Sequence, residues 1–255
     1  MTGLAWAAMH GAAAASNSRA RFVIGVSGPA DGPAAKSWGK LAAEFQNRGF
    51  PTTFVSVIDP LSSFTANEMR ASQIVAALKD VNEPAVILGV SNEGAVLPLI
   101  AAACPVRRLV YINATIPLPG KAFIEICSSE PVAVPGSILD KLIKGAQPVT
   151  DEFLKLRAEA DATPAQWQTL RDHIHASPYA RYMPNFYEVC PLKKMPTVEN
   201  MDISGAADDQ IRPEWEQSTA GRVLGVEPIV IPGAGHTTIV TQYAAQLADA
   251  CVRGL

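Results

Sequence analysis

The chain has 255 residues, of which 48% are hydrophobic and 18% are charged, and its formal net charge is −3. This length allows one large α/β domain with a small insertion, and the composition is that of a globular protein. No dense lysine or arginine stripe is present, which argues against nucleic acid or an anionic membrane as the main partner. No apolar run approaches the roughly 20 residues that a membrane-spanning helix needs.

Residues 1–20 are rich in alanine and lack the basic segment that opens a secretory signal, so we expect a flexible N-terminal extension. The cysteines are far apart in the sequence and show neither a CxxC motif nor metal-ligand spacing. They are Cys104, Cys127, Cys190 and Cys251. This pattern predicts reduced, buried thiols in a cytoplasmic protein without a metal site.

Short apolar runs rich in β-branched residues alternate with helical patterns, and such runs are typical of buried parallel strands. The predicted strands are 21–26, 52–57, 85–90, 108–113, 198–204 and 226–232. The predicted helices are 36–48, 67–80, 92–103 and 241–255. The alternation predicts an α/β fold with a doubly wound, mostly parallel sheet and right-handed crossovers.

The alternation stops in the segment 124–198, where helical patterns follow one another without a strand between them. One of them has a clear N-terminus, with Thr163 as N-cap, Pro164 at the first position and Gln166 completing a capping box. We therefore predict a helical cap at 124–198 on a core formed by 21–123 and 199–255. Trp167, on this cap, is a candidate for the lining of a substrate pocket.

The stretch GVSNEG at 89–94 places Ser91 at the end of a predicted strand, directly before a helical pattern. A nucleophile on a strand-to-helix turn needs a strained backbone and small neighbours two residues before and after it. Gly89 meets the first requirement, whereas Glu93 occupies the second position and Gly94 follows it. The alternative is that Ser91 only caps the helix.

A serine needs a base to accept its proton and an acid to orient that base. Of the four histidines, His236 follows a predicted strand in the tight loop GAGH, where its imidazole would project from the carboxyl edge of the sheet. The acid is expected in the loop after the preceding strand, which offers Asp208 and Asp209. We favour Asp208 and keep Asp209 as the alternative. Asn113, after the strand at 108–113, cannot carry the charge.

The order Ser91, Asp208 or Asp209, His236 resembles that of the α/β-hydrolase fold superfamily, from residue 21 onward. The stretches RLVYINATIPLPG and IPGAGH resemble its plant-esterase and hydroxynitrile-lyase branch. This resemblance implies cleavage of small esters or cyanohydrins beneath a helical cap, without a cofactor.

The loop GVSGPADGP after the first strand differs from the His-Gly sequence usual in that superfamily, and Pro29 has no N–H to donate. The expected oxyanion hole consists of the amides of Gly28 and Asn92. Ser27 could add a hydroxyl to the pocket. For Glu93 we expect a structural, paired carboxylate; contact with substrate is the alternative.

These observations predict a serine hydrolase acting on a small ester or lactone, most simply an apolar one. A lyase or cyclase that uses His236 as acid and base is the alternative chemistry, and a ligand-binding protein is a third reading. A dinucleotide-binding site fits poorly, because Pro29 and Pro33 remove amides that a pyrophosphate would need. A homodimer is compatible with the sequence, which does not fix the oligomeric state.

Overall fold

The computed structural model describes residues 20–27, 33–57, 66–130, 133 and 188–255. Its centre is a six-stranded sheet in which every neighbouring pair of strands is parallel, with the order β2-β1-β3-β4-β5-β6. The strands are β1 Arg21–Ser27, β2 Thr52–Val57, β3 Ala85–Ser91, β4 Arg108–Ala114, β5 Glu199–Gly205 and β6 Ile229–Ile231.

The described helices run between these strands. They are α1 Pro33–Ser37, α2 Gly39–Asn47, α3 Ala66–Leu78, α4 Leu97–Ala103, α5 Phe123–Ser129, α6 Pro213–Thr219, α7 Thr238–Thr241 and α8 Ala244–Cys251. A short 3₁₀ helix, Asn92–Ala95, precedes α4, and a π-helical turn, Ala220–Leu224, continues α6. Among the helices of these described segments, none is long and apolar enough to cross a membrane.

Hydrophobic residues on the two faces of the sheet form separate parts of the core. One face of the sheet packs against α2, α7 and α8, and Phe22 of β1 stacks on Phe45 of α2 with 3.7 Å between ring centroids. The opposite face packs against α3, α4 and the π-helical turn. Successive residues of one strand, such as Leu109 and Val110 in β4, enter opposite clusters, as the period of two along a strand requires.

The predicted fold class is confirmed, with differences at the ends of elements. The predicted helix 36–48 is two helices that meet at Trp38, and the helix expected at 241–255 is divided between α7 and α8. The run 226–232 forms only the three-residue strand β6. Helix α6, which begins with Pro213, was not predicted, because its seven residues have too little length for a periodic apolar pattern.

Two predicted segments lie mainly or wholly outside the described residues. They are the extension at 1–20 and the cap at 124–198, of which the structure describes the end of α5, the neighbouring residues 130 and 133, and 188–198. The four cysteines are all described, and none forms a disulfide. Burial raises the pKa of the Cys127 thiol to about 12, which is the behaviour of an inert structural thiol.

The turn at Ser91 has the strained backbone that the sequence predicts. Ser91 adopts φ 55° and ψ −129°, a conformation rarely seen for residues with a Cβ atom. The residue that packs most tightly after it is Gly94, where a Cβ atom would lie 2.2 Å from the carbonyl oxygen of Thr115. This close approach to the residues after β4 thus occurs at Gly94, one residue beyond Glu93.

Glu93 forms an ion pair with Arg70 of α3. The Arg70 side chain is 6% exposed and the Glu93 side chain is 22% exposed, so the pair is largely shielded from water. The contact joins α3 to the 3₁₀ helix that follows Ser91. A paired carboxylate at this position agrees with the structural role expected for Glu93.

We predict that Glu93→Gly lowers the free energy of unfolding by about 2 kcal/mol, because it removes a carboxylate from a buried guanidinium. This value is below that of a fully buried pair, since the Glu93 side chain keeps some exposure. Urea unfolding measures the change, and Glu44→Gln is the matched control because Glu44 pairs with Arg48 at a more exposed site. Unchanged stability together with a shifted pH profile of kcat/KM would assign Glu93 to the chemistry instead.

Candidate active site

The carboxyl ends of the parallel strands bring Ser91, Asn113 and the loops after β5 and β6 to the same edge of the sheet. Open α/β sheets bind ligands at this edge. The candidate residues are far apart in sequence, but the strand order places β3, β4, β5 and β6 side by side. The sheet therefore brings Ser91, Asn113, Asp208 and His236 to one edge.

Asp208 and His236 form a buried pair. Asp208 Oδ2 lies 2.8 Å from His236 Nδ1, and the side chains are 0% and 6% exposed. The other carboxylate oxygen, Oδ1, accepts hydrogen bonds from the backbone N–H groups of Gln210 at 2.7 Å and Ile211 at 3.0 Å. Because Asp208 is acceptor-only when ionised, Nδ1 carries the proton and Nε2 is left as the basic nitrogen.

The loops that carry Asp208 and His236 are joined by their backbones. The N–H of Ala206 donates to the carbonyl of Ile231 at 3.1 Å, and that of Ala207 donates to the carbonyl of Ala234 at 2.9 Å. A Cβ atom on Gly205 would lie 2.3 Å from the Ala234 oxygen, so only glycine permits this approach. The separation of acid and base is thus fixed by main-chain contacts.

Asn113 connects the end of β4 to both loops. Its side-chain oxygen accepts the N–H of Gly205 at 2.6 Å, and its Nδ2 donates to the carbonyls of Gly235 at 3.1 Å and His236 at 3.2 Å. The residue is fully buried and has φ 44°, a left-handed conformation that asparagine tolerates better than most residues. The pairing of β3 with β4 skips it, since Val90 is opposite Ile112 and Ser91 is opposite Ala114.

The backbone of Ser91 is held by the same strand. Its carbonyl accepts the N–H of Thr115 at 3.0 Å and the Thr115 hydroxyl at 3.3 Å. Between Ser91 and His236, both of which the structure describes, no hydrogen bond is formed.

The other candidate residues are less completely described. Asp209, the alternative acid, is exposed, whereas Asp208 is the residue bonded to His236. Asn92 is the first residue of the 3₁₀ helix, where a backbone N–H has no acceptor within the helix. Ser27 ends β1, and its side chain lies outside the description, as do Gly28 and Trp167.

Sequence reasoning missed the positioning role of Asn113, which was considered only as a failed position for the acid. A polar residue at the end of a buried strand was the available signal, because a buried amide must find hydrogen-bond partners. The three partners of Asn113 come from loops about a hundred residues away. Nothing in the local sequence identifies them.

Solved structures with the same fold cover most of this chain. An extracellular α/β-hydrolase from a Paenibacillus species is 18% identical to this chain, with a TM-score of 0.60. The alignment covers 91% of this chain and 98% of that protein. That hydrolase is described as sharing structural and functional homology with tobacco salicylic acid binding protein 2. Polyneuridine aldehyde esterase is 17% identical, with a TM-score of 0.59 and coverages of 91% and 98%. A pyrethroid hydrolase is 15% identical, with a TM-score of 0.58 and coverages of 91% and 96%.

At these identities the likeness shows the fold, and it includes enzymes of the plant-esterase kind that the sequence resembles. No curated protein matches the sequence. A family model described as "Alpha/beta hydrolase family" matches residues 3–250. Because this match spans nearly the whole chain, the protein belongs to the alpha/beta hydrolase family.

Proposed function

We propose that this protein is a serine hydrolase that cleaves a small carboxylic ester or lactone through Ser91, His236 and Asp208. The observation that carries the proposal is the buried hydrogen bond of 2.8 Å between His236 Nδ1 and Asp208 Oδ2. A buried and fully partnered carboxylate that orients an imidazole has little use in a protein that only binds a ligand. The strained turn at Ser91 on the same sheet edge supplies the candidate nucleophile.

In the proposed reaction, Ser91 Oγ attacks the carbonyl carbon of the ester while Nε2 of His236 accepts its proton. The amides of Asn92 and Gly28 are the proposed donors to the oxyanion of the tetrahedral intermediate. His236 then donates the proton to the departing alkoxide, which leaves an acyl group on Ser91. Water, activated by the same imidazole, releases the acid and restores the enzyme.

Asp208 has an orienting and electrostatic role in this scheme. It fixes the tautomer that exposes a basic Nε2, and it stabilises the imidazolium that forms during the attack. Its own orientation is set by the amides of Gln210 and Ile211, which both donate to Oδ1. No residue of this scheme requires a cofactor.

The reaction class is tested by incubating the protein with a panel of small esters and lactones and with a serine-directed phosphonate. Turnover together with a phosphonate adduct on Ser91 supports hydrolysis. An adduct without turnover of any ester or lactone favours the lyase or cyclase alternative, in which His236 acts only as acid and base. Turnover without an adduct on Ser91 contradicts the proposal.

We predict that Ser91→Ala lowers kcat on the best ester by about 10⁴-fold or more, because the nucleophile is lost. The fold is expected to survive, because alanine is small and experiences about the same backbone strain as serine at this positive φ. Circular dichroism and urea unfolding check the fold alongside the rate. A variant that retains most of its kcat would contradict the assignment of Ser91 as nucleophile. The Ser91 side chain makes no capping hydrogen bond to the 3₁₀ helix, so helix capping does not explain this serine.

We predict that Asp208→Asn lowers kcat by about 10³- to 10⁴-fold, because an amide at this position favours the wrong imidazole tautomer. Asp209→Asn is the matched control, since Asp209 is adjacent and exposed, and it is expected to change kcat less than about twofold. Stopped or continuous ester assays measure both. Equal and mild effects would mean that neither carboxylate orients His236.

We predict that Asn113→Asp lowers kcat/KM by about 10- to 100-fold, because a carboxylate cannot donate to the carbonyls of Gly235 and His236. The acceptor for the Gly205 N–H is retained, so the β5 contact survives. The rate of phosphonate labelling of Ser91 should fall in parallel. Asn200→Asp, an amide in β5 whose Nδ2 donates to Val198, is the control; an equal loss in the control would exclude a specific role for Asn113.

A further inference from the structure

Two carboxyl groups are buried behind the candidate triad and have no part in the proposed reaction. Asp202 of β5 and Glu216 of α6 are each 0% exposed. In the register of the sheet Asp202 is opposite Tyr111 of β4, and Glu216 reaches the same face of the sheet from α6. Two unpaired carboxylates without solvent would be strongly destabilising.

One oxygen of this pair has a defined task. Glu216 Oε1 accepts the backbone N–H of Ala114 at 2.6 Å. Ala114 is opposite Ser91 in the pairing of β3 with β4, immediately after the skipped residue Asn113. Glu216 therefore holds the backbone at the point where β4 supports the strained turn.

The remaining oxygens have no donor. Within the described part of the chain, no N–H or hydroxyl donor reaches Asp202 Oδ1, Asp202 Oδ2 or Glu216 Oε2, and the hydroxyls of Tyr111 and Thr219 also have no partner. Buried polar atoms are rarely left in this state. The Asp202 and Glu216 carboxyls lie close enough to hydrogen-bond to each other once one of them is protonated. A proton shared between the two carboxyls joins two of these three oxygens in an O–H···O hydrogen bond and needs no added ligand.

We propose that Asp202 and Glu216 share a proton at neutral pH and act as a positioning pair that holds the Ala114 amide beneath Ser91. The O–H of one carboxyl donates to an oxygen of the other, while Oε1 of Glu216 continues to accept from Ala114. The role as positioning residues rests on the proposed function, whereas the shared proton does not.

The electrostatic surroundings agree with this arrangement. Burial raises the pKa of Asp202 to about 7, and burial together with the charge of Asp202 raises that of Glu216 well above its ordinary value. The other ionisable groups that face the pair among the described residues are Tyr111, beside Asp202, and Asp208, whose charge also acts on Glu216. Cys190 lies near Tyr111 and, like it, has a raised pKa because of burial.

The pH dependence of stability follows from these directions. The folded protein keeps protons on this pair that the unfolded chain releases near pH 4, where ordinary carboxyls titrate. The contribution of this pair to the free energy of unfolding is therefore greatest at low pH. That contribution is lost as the pH rises towards and through about 7. A salt-bridged carboxylate has the opposite effect, because its lowered pKa makes the folded protein more stable as the pH rises.

The first test measures the free energy of unfolding of the wild type and of Glu216→Gln from about pH 5 to about pH 9. Gln retains an oxygen for Ala114 and supplies an N–H to Asp202, so the fall in stability with pH should be clearly smaller in the variant. Glu214→Gln, an exposed glutamate on the same helix, is the control and should reproduce the wild-type slope. Equal slopes in the wild type and Glu216→Gln would overturn the shared proton, whether or not the protein is a hydrolase.

The second test separates positioning from general stability. Glu216→Ala is expected to lower kcat about 10-fold with KM changed less than about twofold, because the Ala114 amide loses its acceptor. Glu216→Gln should recover at least half of that loss in ΔΔG‡. An unchanged kcat in Glu216→Ala, or a loss in Glu216→Gln as large as in Glu216→Ala, would overturn the positioning role. If Glu216→Ala does not fold, Glu216→Met, which has a similar volume but no oxygen for the Ala114 amide, takes its place, and the same outcomes support or overturn the positioning role.

Discussion

The arrangement of this active-site edge depends on one buried amide. Asn113 accepts from Gly205 at the end of β5 and donates to two carbonyls of the loop that carries His236. These hydrogen bonds require the side chain to leave the regular pairing of β4, and a left-handed backbone with φ 44° provides that displacement. The loops that carry Asp208 and His236 are therefore joined through one side chain to the strand that pairs with β3 next to Ser91. Close main-chain packing at Gly205 against Ala234 strengthens the same constraint.

The strain at Ser91 is supported from several directions. Thr115 binds its carbonyl, Gly94 lets the following helix approach β4, and the ion pair of Glu93 with Arg70 joins that helix to α3. Local strain of about 1–3 kcal/mol persists only where the surrounding structure determines the conformation in this way. The buried Glu216 of α6 adds a hydrogen bond to the backbone of β4 at Ala114. Polar groups that take no part in bond breaking thus account for much of the geometry that the proposed chemistry needs.

The sequence predicts the sheet, the candidate nucleophile and the candidate base because each depends on local patterns. Apolar runs of five or six residues identify β1 to β4, and the positions of Ser91 and His236 follow from where such runs end. Sequence alone does not separate Asp208 from Asp209, because the choice depends on the path of the loop and the amides of Gln210 and Ile211. It does not reveal that Gly94 lies against Thr115, since that contact is tertiary. Asn113 and Glu216 bind partners far along the chain, which no periodicity reveals.

The proposed hydrolysis requires that Ser91 become acylated during turnover. The most direct measurement is rapid quenching of the protein during turnover of a slowly deacylating ester, followed by peptide mapping by mass spectrometry. The account predicts a burst of released alcohol close to one equivalent per protein and an acyl group on the peptide that contains Ser91. Steady turnover with no burst, and with no acyl group on Ser91 at any quench time, would contradict it.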